Sequence, residues 1–332
     1  MPLNDRLVAA AGSVRFASAA DILTFFQTAT NAHFVDWFNA SCAQKANWAS
    51  KIVGSSDGVK TRFAAMWDRI PLMFDTPNIN LLQFSTLMSV IINEAGADLL
   101  PCAELCGRAQ YPGLAYAFSA IPGVKRSYNS APLNKLAGDL FFDDADFWSA
   151  HGTRPAADLV RASPSLHDEW NGSSYPQQFP TSLDPAISGF IQQGDFFKFR
   201  GRGFIQVTWR ANYKKLVQFV QSCQSGNGTI LGYKAAWTGM DPDVVCTISS
   251  NEDWDALFQQ SDFIIPCRAI GIHNQTCGNY LALAQDLSTL TALNGTPGSF
   301  YYAGWRINGA AGYASLLSQR VVQVLETLAY AG

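Results

Sequence analysis

The stretch from residue 80 to residue 93 carries no charged side chain, and Leu81, Leu82, Phe84, Leu87, Met88, Val90, Ile91 and Ile92 crowd every side of the helix it would form. A helix that is apolar all round has no face for water, so it must run through the centre of a core with other elements packed about it. The predicted helix meets its first charge at Glu94 and its first breaker at Gly96. A carboxylate where a buried helix ends sits at the edge of a core, where a general acid is well placed. A solvated glutamate just past a helix end is the plainer reading of this segment taken alone.

The rest of the chain reads as mainly α, with sparse, short strand-like alternation that predicts a small β-hairpin at most. Its 332 residues suffice for one large domain with decorations or for two domains. Residues 1–58 read as two or three amphipathic helices with Ile22, Phe25, Phe26, Phe34, Trp37 and Phe38 as their apolar positions. Gly54-Ser55-Ser56-Asp57-Gly58 then punctuates the chain, predicting an accessory segment over 1–58 and a main domain over 59–332. Within that domain, residues 152–185 are interrupted by Gly152, Pro155, Pro164, Gly172, Pro176, Pro180 and Pro185, the pattern of a long ordered loop or lid.

The formal charge is −3 and no cluster of Lys and Arg stands out, which argues against a nucleic-acid partner. No apolar run approaches the ~18 residues of a membrane span. The first 26 residues lack the basic start and apolar run of a secretory signal, so the chain is expected to be made in the cytoplasm without an export signal. Seven cysteines, odd in number and never closely paired, predict buried and mostly free thiols. Cys267, His273 and Cys277 lack a fourth ligand and a usual metal spacing, so neither metal nor cofactor is expected. His33, His151 and His167 stand with His273 as isolated residues, outside any nucleophile arrangement.

The densest run of potential ligands is Phe199-Arg200-Gly201-Arg202-Gly203-Phe204-Ile205-Gln206-Val207-Thr208-Trp209-Arg210-Ala211-Asn212-Tyr213. Two glycines beside an arginine permit tight backbone approach, and Gln206, Thr208 and Asn212 gather neutral hydrogen-bonding groups of the kind that bind sugars. A phosphate loop is the rival for a glycine-rich segment, but no Gly-Lys-Ser/Thr follows.

This segment resembles the signature of the family 19 glycoside hydrolases, the chitinases and phage endolysins of the lysozyme-like superfamily, and its Arg-Gly-Arg-Gly and Arg-Ala-Asn-Tyr wording is similar to the endolysin branch. Asn93-Glu94-Ala95-Gly96 stands where the family has His-Glu-Thr/Ser-Gly-Gly, Arg306-Ile307-Asn308-Gly309 resembles its Ile-Asn-Gly signature, and Asp241-Pro242-Asp243 is a weaker match to its Asn-Pro-Asp. Asn93, Ala97 and Ala310 depart from the family's histidine and two of its glycines. The resemblance spans roughly residues 60–332. It implies an α+β lysozyme-like fold of two helical lobes around a substrate cleft.

Carried over by position, the resemblance makes Glu94 the general acid and Thr208 the hydroxyl that helps hold the attacking water. Gln206, Asn212 and Asn308 become substrate ligands, with Arg202 and Tyr213 of the same motif taken alongside them. It leaves the second carboxylate open among Asp98, Glu104 and Asp139, of which Glu104 is preferred because Pro101 turns the chain before it and lets it face Glu94 across a water. In the C-terminal helix, Tyr313, Leu316, Leu317, Val321, Val324 and Leu328 define an apolar face, and periodicity puts Arg320 on it. It needs an active-site carboxylate, a route for its charge to water, or a structural partner such as Asp139 or Asp146. Trp148, Trp170, Tyr175 and Trp209 could stack on sugar rings or pack in the core.

The function implied is cleavage of β-1,4 bonds in peptidoglycan by an inverting pair of carboxylates, as a muramidase-type endolysin or an injected antibacterial effector. The alternatives are a chitinase acting on N-acetylglucosamine polymers and a non-catalytic glycan-binding relative. An enzyme of this kind would reach the cell wall or periplasm after lysis or through a secretion apparatus, and an effector would have an immunity protein as partner.

Overall fold

The computed structural model describes residues 11–48, 51–103, 199–249, 251–283 and 300–329. Among them the chain is mainly helical, with thirteen helices and two small two-stranded sheets. None of these helices is long and apolar enough to cross a membrane. The chain divides into two compact units, one of residues 1–102, 203–205 and 262–332 and the other of residues 103–202 and 206–261.

The first unit opens with β1 (Arg15–Phe16), α1 (Ala19–Thr30), α2 (Phe34–Ser41), α3 (Asp57–Trp67) and α4 (Ile70–Phe74), followed by β2 (Ile79–Asn80) and α5 (Leu81–Glu94). β1 pairs antiparallel with β2, Arg15 opposite Asn80 and Phe16 opposite Ile79. Asn80 then caps α5 by accepting from Gln83 N at 2.8 Å, while Gln83 Oε1 accepts from Asn80 N at 3.0 Å. This reciprocal box satisfies two amides that the first turn of a helix leaves without partners.

Every residue of α5 from Leu81 to Ile92 is buried, as its uncharged sequence requires. Two of its hydroxyls are satisfied within the helix: Thr86 Oγ1 donates to Leu82 O at 2.8 Å and Ser89 Oγ to Ser85 O at 2.7 Å. Phe84 is the hub of an aromatic cluster, with ring centroids 4.7 Å from Trp67, 5.2 Å from Phe34 and 5.7 Å from Phe26. Each such ring pair adds about 0.5–1.5 kcal/mol beyond the area it buries. The glycines at residues 54–58 therefore do not divide two cores: Phe26 and Phe34 before them share one cluster with Trp67 and Phe84 after them.

The same unit contains α10 (Ile264–Thr276), α11 (Tyr280–Leu283), α12 (Phe300–Asn308) and α13 (Ala311–Ala329), the four helices between residues 206 and 261 belonging to the other unit. α12 and α13 form a tight pair, because a side chain at Gly304 would bring its Cβ to 2.8 Å from Ala314 Cα. That approach, open only to glycine, sets where the first turn of α13 lies. α13 in turn packs along α5.

Short β3 (Cys102–Ala103) and β4 (Arg202–Gly203) flank the undescribed segment that includes residues 152–185. The second unit contains α6 (Arg210–Ser222), α7 (Gly228–Trp237), α8 (Pro242–Ile248) and α9 (Asn251–Gln260). Trp254 of α9 is its centre, 4.8 Å from the Tyr213 ring and 5.6 Å from that of Trp237. Asp241 caps α8 by accepting from Asp243 N at 2.7 Å, and Pro242 occupies the first turn, where its missing N–H costs nothing. Asp243 itself is buried and ion-paired with Lys214.

Candidate functional site

Glu94 is the last residue of α5 and is half-buried. Its Oε1 accepts two hydrogen bonds, from Asn93 Nδ2 at 2.9 Å and from Tyr313 Oη at 2.9 Å. Among the described residues, no hydrogen bond is made to Oε2. One oxygen of the carboxyl group is thus anchored and the other is left to meet water or a ligand.

Behind Glu94 stands Arg320, 5% exposed on α13. Its Nη1 donates to Asn93 Oδ1 at 2.7 Å, its Nε donates to Asn47 O at 2.7 Å, and its guanidinium lies 5.0 Å from the centroid of the Trp48 ring. Arg320 therefore reaches the carboxylate through Asn93 and makes no direct ion pair with it. Nor does it snorkel, because the main-chain carbonyl and the indole face satisfy it inside the protein. Burial pulls the guanidinium below its ordinary value, opposed by Tyr313 and Glu94. Burial and then Glu94 push the Tyr313 phenol well above its ordinary range, so it remains a donor.

Asn308 ends α12 with an exposed side chain, and Trp305, one turn earlier on the same face, is 41% exposed. An amide beside an uncovered indole can bind one edge and one face of a sugar ring. Trp305 was absent from the sequence expectations, as was Tyr313 in the role of Glu94's donor. The available signal for Tyr313 was its position two helical turns before Arg320, on the same face of α13.

Of the glycine-rich motif, residues 199–202 and 206–213 belong to the second unit and residues 203–205 to the first. Arg202 and Val207 exchange backbone hydrogen bonds at 3.2 and 2.9 Å, closing a tight loop. Gly201 is needed there because a Cβ would come to 2.8 Å from Gln206 Oε1 and 3.1 Å from Gln206 Cβ. Gln206 (φ 54°) and Trp209 (φ 81°) both take positive φ angles, and Trp209 is 39% exposed. Such local strain gathers at functional sites. Thr208 Oγ1 donates to Gln206 O at 2.9 Å, which commits its proton and leaves its oxygen able to accept from a water. Buried Asn212 donates from Nδ2 to Thr208 O at 2.8 Å, holding the loop from below.

Two expected ligands are corrected by this geometry. Arg202 and Tyr213 are both 0% exposed. Arg202 Nε donates to Asp255 Oδ1 at 2.7 Å and Nη1 to Tyr213 Oη at 3.1 Å, while Tyr213 Oη donates to Arg200 O at 2.7 Å. They build the loop and do not face a ligand. Asp255, also 3.6 Å from Arg200, is the acidic partner that sequence reading missed. No local spacing links it to residue 202.

Glu104 and Asp139 lie outside the described residues, as do Asp146, Trp148, Trp170 and Tyr175. Asp98 is exposed beyond the end of α5. Cys277 Sγ lies 3.7 Å from His273 Nε2, and buried Cys267 Sγ faces Met66 O at 3.8 Å. Among the described residues no three or more His, Cys, Asp and Glu side chains are grouped to hold a metal ion.

The chain matches no known protein family, no curated protein and no solved structure.

Proposed function

We propose that this chain is a glycoside hydrolase of the lysozyme-like type that cleaves β-1,4 bonds in peptidoglycan by an inverting acid/base mechanism, with Glu94 as the general acid. The observation that carries this reading is the asymmetry of the Glu94 carboxyl group, one oxygen held by Asn93 and Tyr313 and the other without a hydrogen bond among the described residues. A proton donor needs a fixed carboxyl group with one accessible oxygen. The motif resemblance supports the choice of a glycan, and its endolysin-like wording favours peptidoglycan over chitin.

In the proposed reaction Glu94 protonates the leaving oxygen while a second carboxylate, with Glu104 as the candidate, deprotonates the attacking water. The motif resemblance offers Thr208 to steady that water, and Gln206, Asn212 and Asn308 as sugar ligands. Such an enzyme would meet its substrate at the wall after lysis or injection. If it is an injected effector, an immunity protein would be its partner.

The test is incubation of the wild-type chain and Glu94→Gln with purified sacculi and with soluble chitin oligomers, followed by product mass analysis and assignment of the newly formed anomer. Wild type should release disaccharide products from sacculi as the inverted anomer, and Glu94→Gln should melt like wild type with hydrolysis at least ~10²-fold lower. Cleavage of chitin oligomers alone would make it a chitinase. Binding of both glycans without cleavage would make it a lectin-like relative.

A further inference from the structure

We propose that Arg320 and Asn93 form a one-way positioning relay that decides which oxygen of Glu94 releases the proton. This rests on the reading of Glu94 as the acid. An arginine carries only donors, so Nη1 of Arg320, 2.7 Å from Asn93, fixes the carbonyl oxygen of that amide on the arginine side. The amide nitrogen must then face the opposite way, where it stands 2.9 Å from Glu94 Oε1. Flipping Asn93 would set its N–H groups against the guanidinium and its oxygen against the carboxylate, losing both contacts at once.

The far end of the relay cannot give way easily. Arg320 is tied by Nε to Asn47 O at 2.7 Å and lies 5.0 Å from the centroid of the Trp48 ring. Lys51 Nζ donates to Asn93 O at 3.2 Å, satisfying a carbonyl that the last turn of α5 leaves without a helical partner. With Tyr313 Oη as the second donor on Oε1, the acidic proton is carried by Oε2.

The chemistry follows from that assignment. The Oε2 proton passes to the glycosidic oxygen as the bond from that oxygen to the anomeric carbon breaks and its electron pair goes to the oxygen. Water supplies the new bond to carbon and loses its proton to the base. Glu94 is left as a carboxylate, and its new charge is met on Oε1 by two donors already in position. A direct guanidinium–carboxylate pair would favour the ionised group from the outset, the wrong form for a proton donor. A neutral amide between them passes on orientation while keeping the full charge one residue away.

The relay is tested with Asn93→Leu, Arg320→Met, Arg320→Lys and the double variant Asn93→Leu/Arg320→Met. Turnover is measured on soluble, uncross-linked peptidoglycan strands, and the side-chain amide signals are followed by NMR in asparagine-labelled protein. Each of the two single removals should lower kcat roughly tenfold to a hundredfold, the scale of a misplaced catalytic group, with KM within about twofold. The double variant should be no slower than Asn93→Leu, because Arg320 acts through Asn93. Arg320→Lys, which retains a donor, should recover most of the loss. The Asn93 amide signals should move with pH in wild type and stay still in Glu94→Gln.

Multiplying effects in the double variant, unchanged kcat in Asn93→Leu, or Asn93 signals indifferent to Glu94 would each overturn the relay. A wild-type chain that cleaves no glycan overturns the hydrolase reading instead. The amide signals then still decide whether Asn93 positions Glu94.

Discussion

Tyr313 donates its phenolic hydroxyl to Glu94 Oε1 at 2.9 Å, joining the first turn of α13 to the last residue of α5 across 219 positions of sequence. Tyr313→Phe keeps the ring and removes only this donor. Stability should fall by about 1 kcal/mol, the net worth of an ordinary hydrogen bond. Turnover should fall roughly tenfold, because one of two constraints on the acid is gone. Denaturant titration beside initial rates separates the two effects, and a variant with wild-type kcat would leave the hydroxyl with a packing role alone.

Arg202 provides the opposite case, a motif residue whose removal should act on folding. Arg202→Met fills similar space but leaves Asp255 without its 2.7 Å partner. Breaking a buried pair costs about 3–5 kcal/mol. The lower end is expected here, since Asp255 is 28% exposed and keeps Arg200 at 3.6 Å. The denaturation midpoint measures this directly. If the variant melts like wild type yet no longer binds glycan, Arg202 returns to the substrate contacts.

His273, on α10, gives an acid limb to stability. Burial lowers its pKa from 6.5 to about 4. Its Nδ1 shares a hydrogen bond of 2.8 Å with Tyr280 Oη. Between about 4 and 6.5 the unfolded chain binds a proton that the folded chain refuses, so stability present above 6.5 is lost as pH falls through this window. His273→Gln should flatten the dependence by up to about 1.4 kcal/mol per pH unit there. Parallel stability curves for the two proteins across that window would show that the imidazole does not titrate as described.

Much of the first unit was legible because its signals are local. The charge-free run at residues 80–93 demands burial on all sides, and its first charge and first breaker mark where the helix ends. The turn glycines at 54–58 misled for the same reason: a break in the helical pattern marks the end of an element, whereas a domain boundary depends on which side chains meet afterwards. Phe26 and Phe34 meet Phe84, and no periodicity in either segment names that partner.

The candidate site divides along the same line. By itself the sequence determined that Glu94 ends a buried helix and that Arg320 lies on an apolar helical face, since both follow from the 3.6-residue period and the cost of wetting apolar surface. Only the tertiary structure decided that Asn93 stands between them, that Tyr313 is the second donor, and that Arg202 belongs to Asp255. Such pairings join residues tens to hundreds of positions apart. A hydrogen bond is fixed by ångström-scale distance and direction, and those arise only when whole helices have packed against one another.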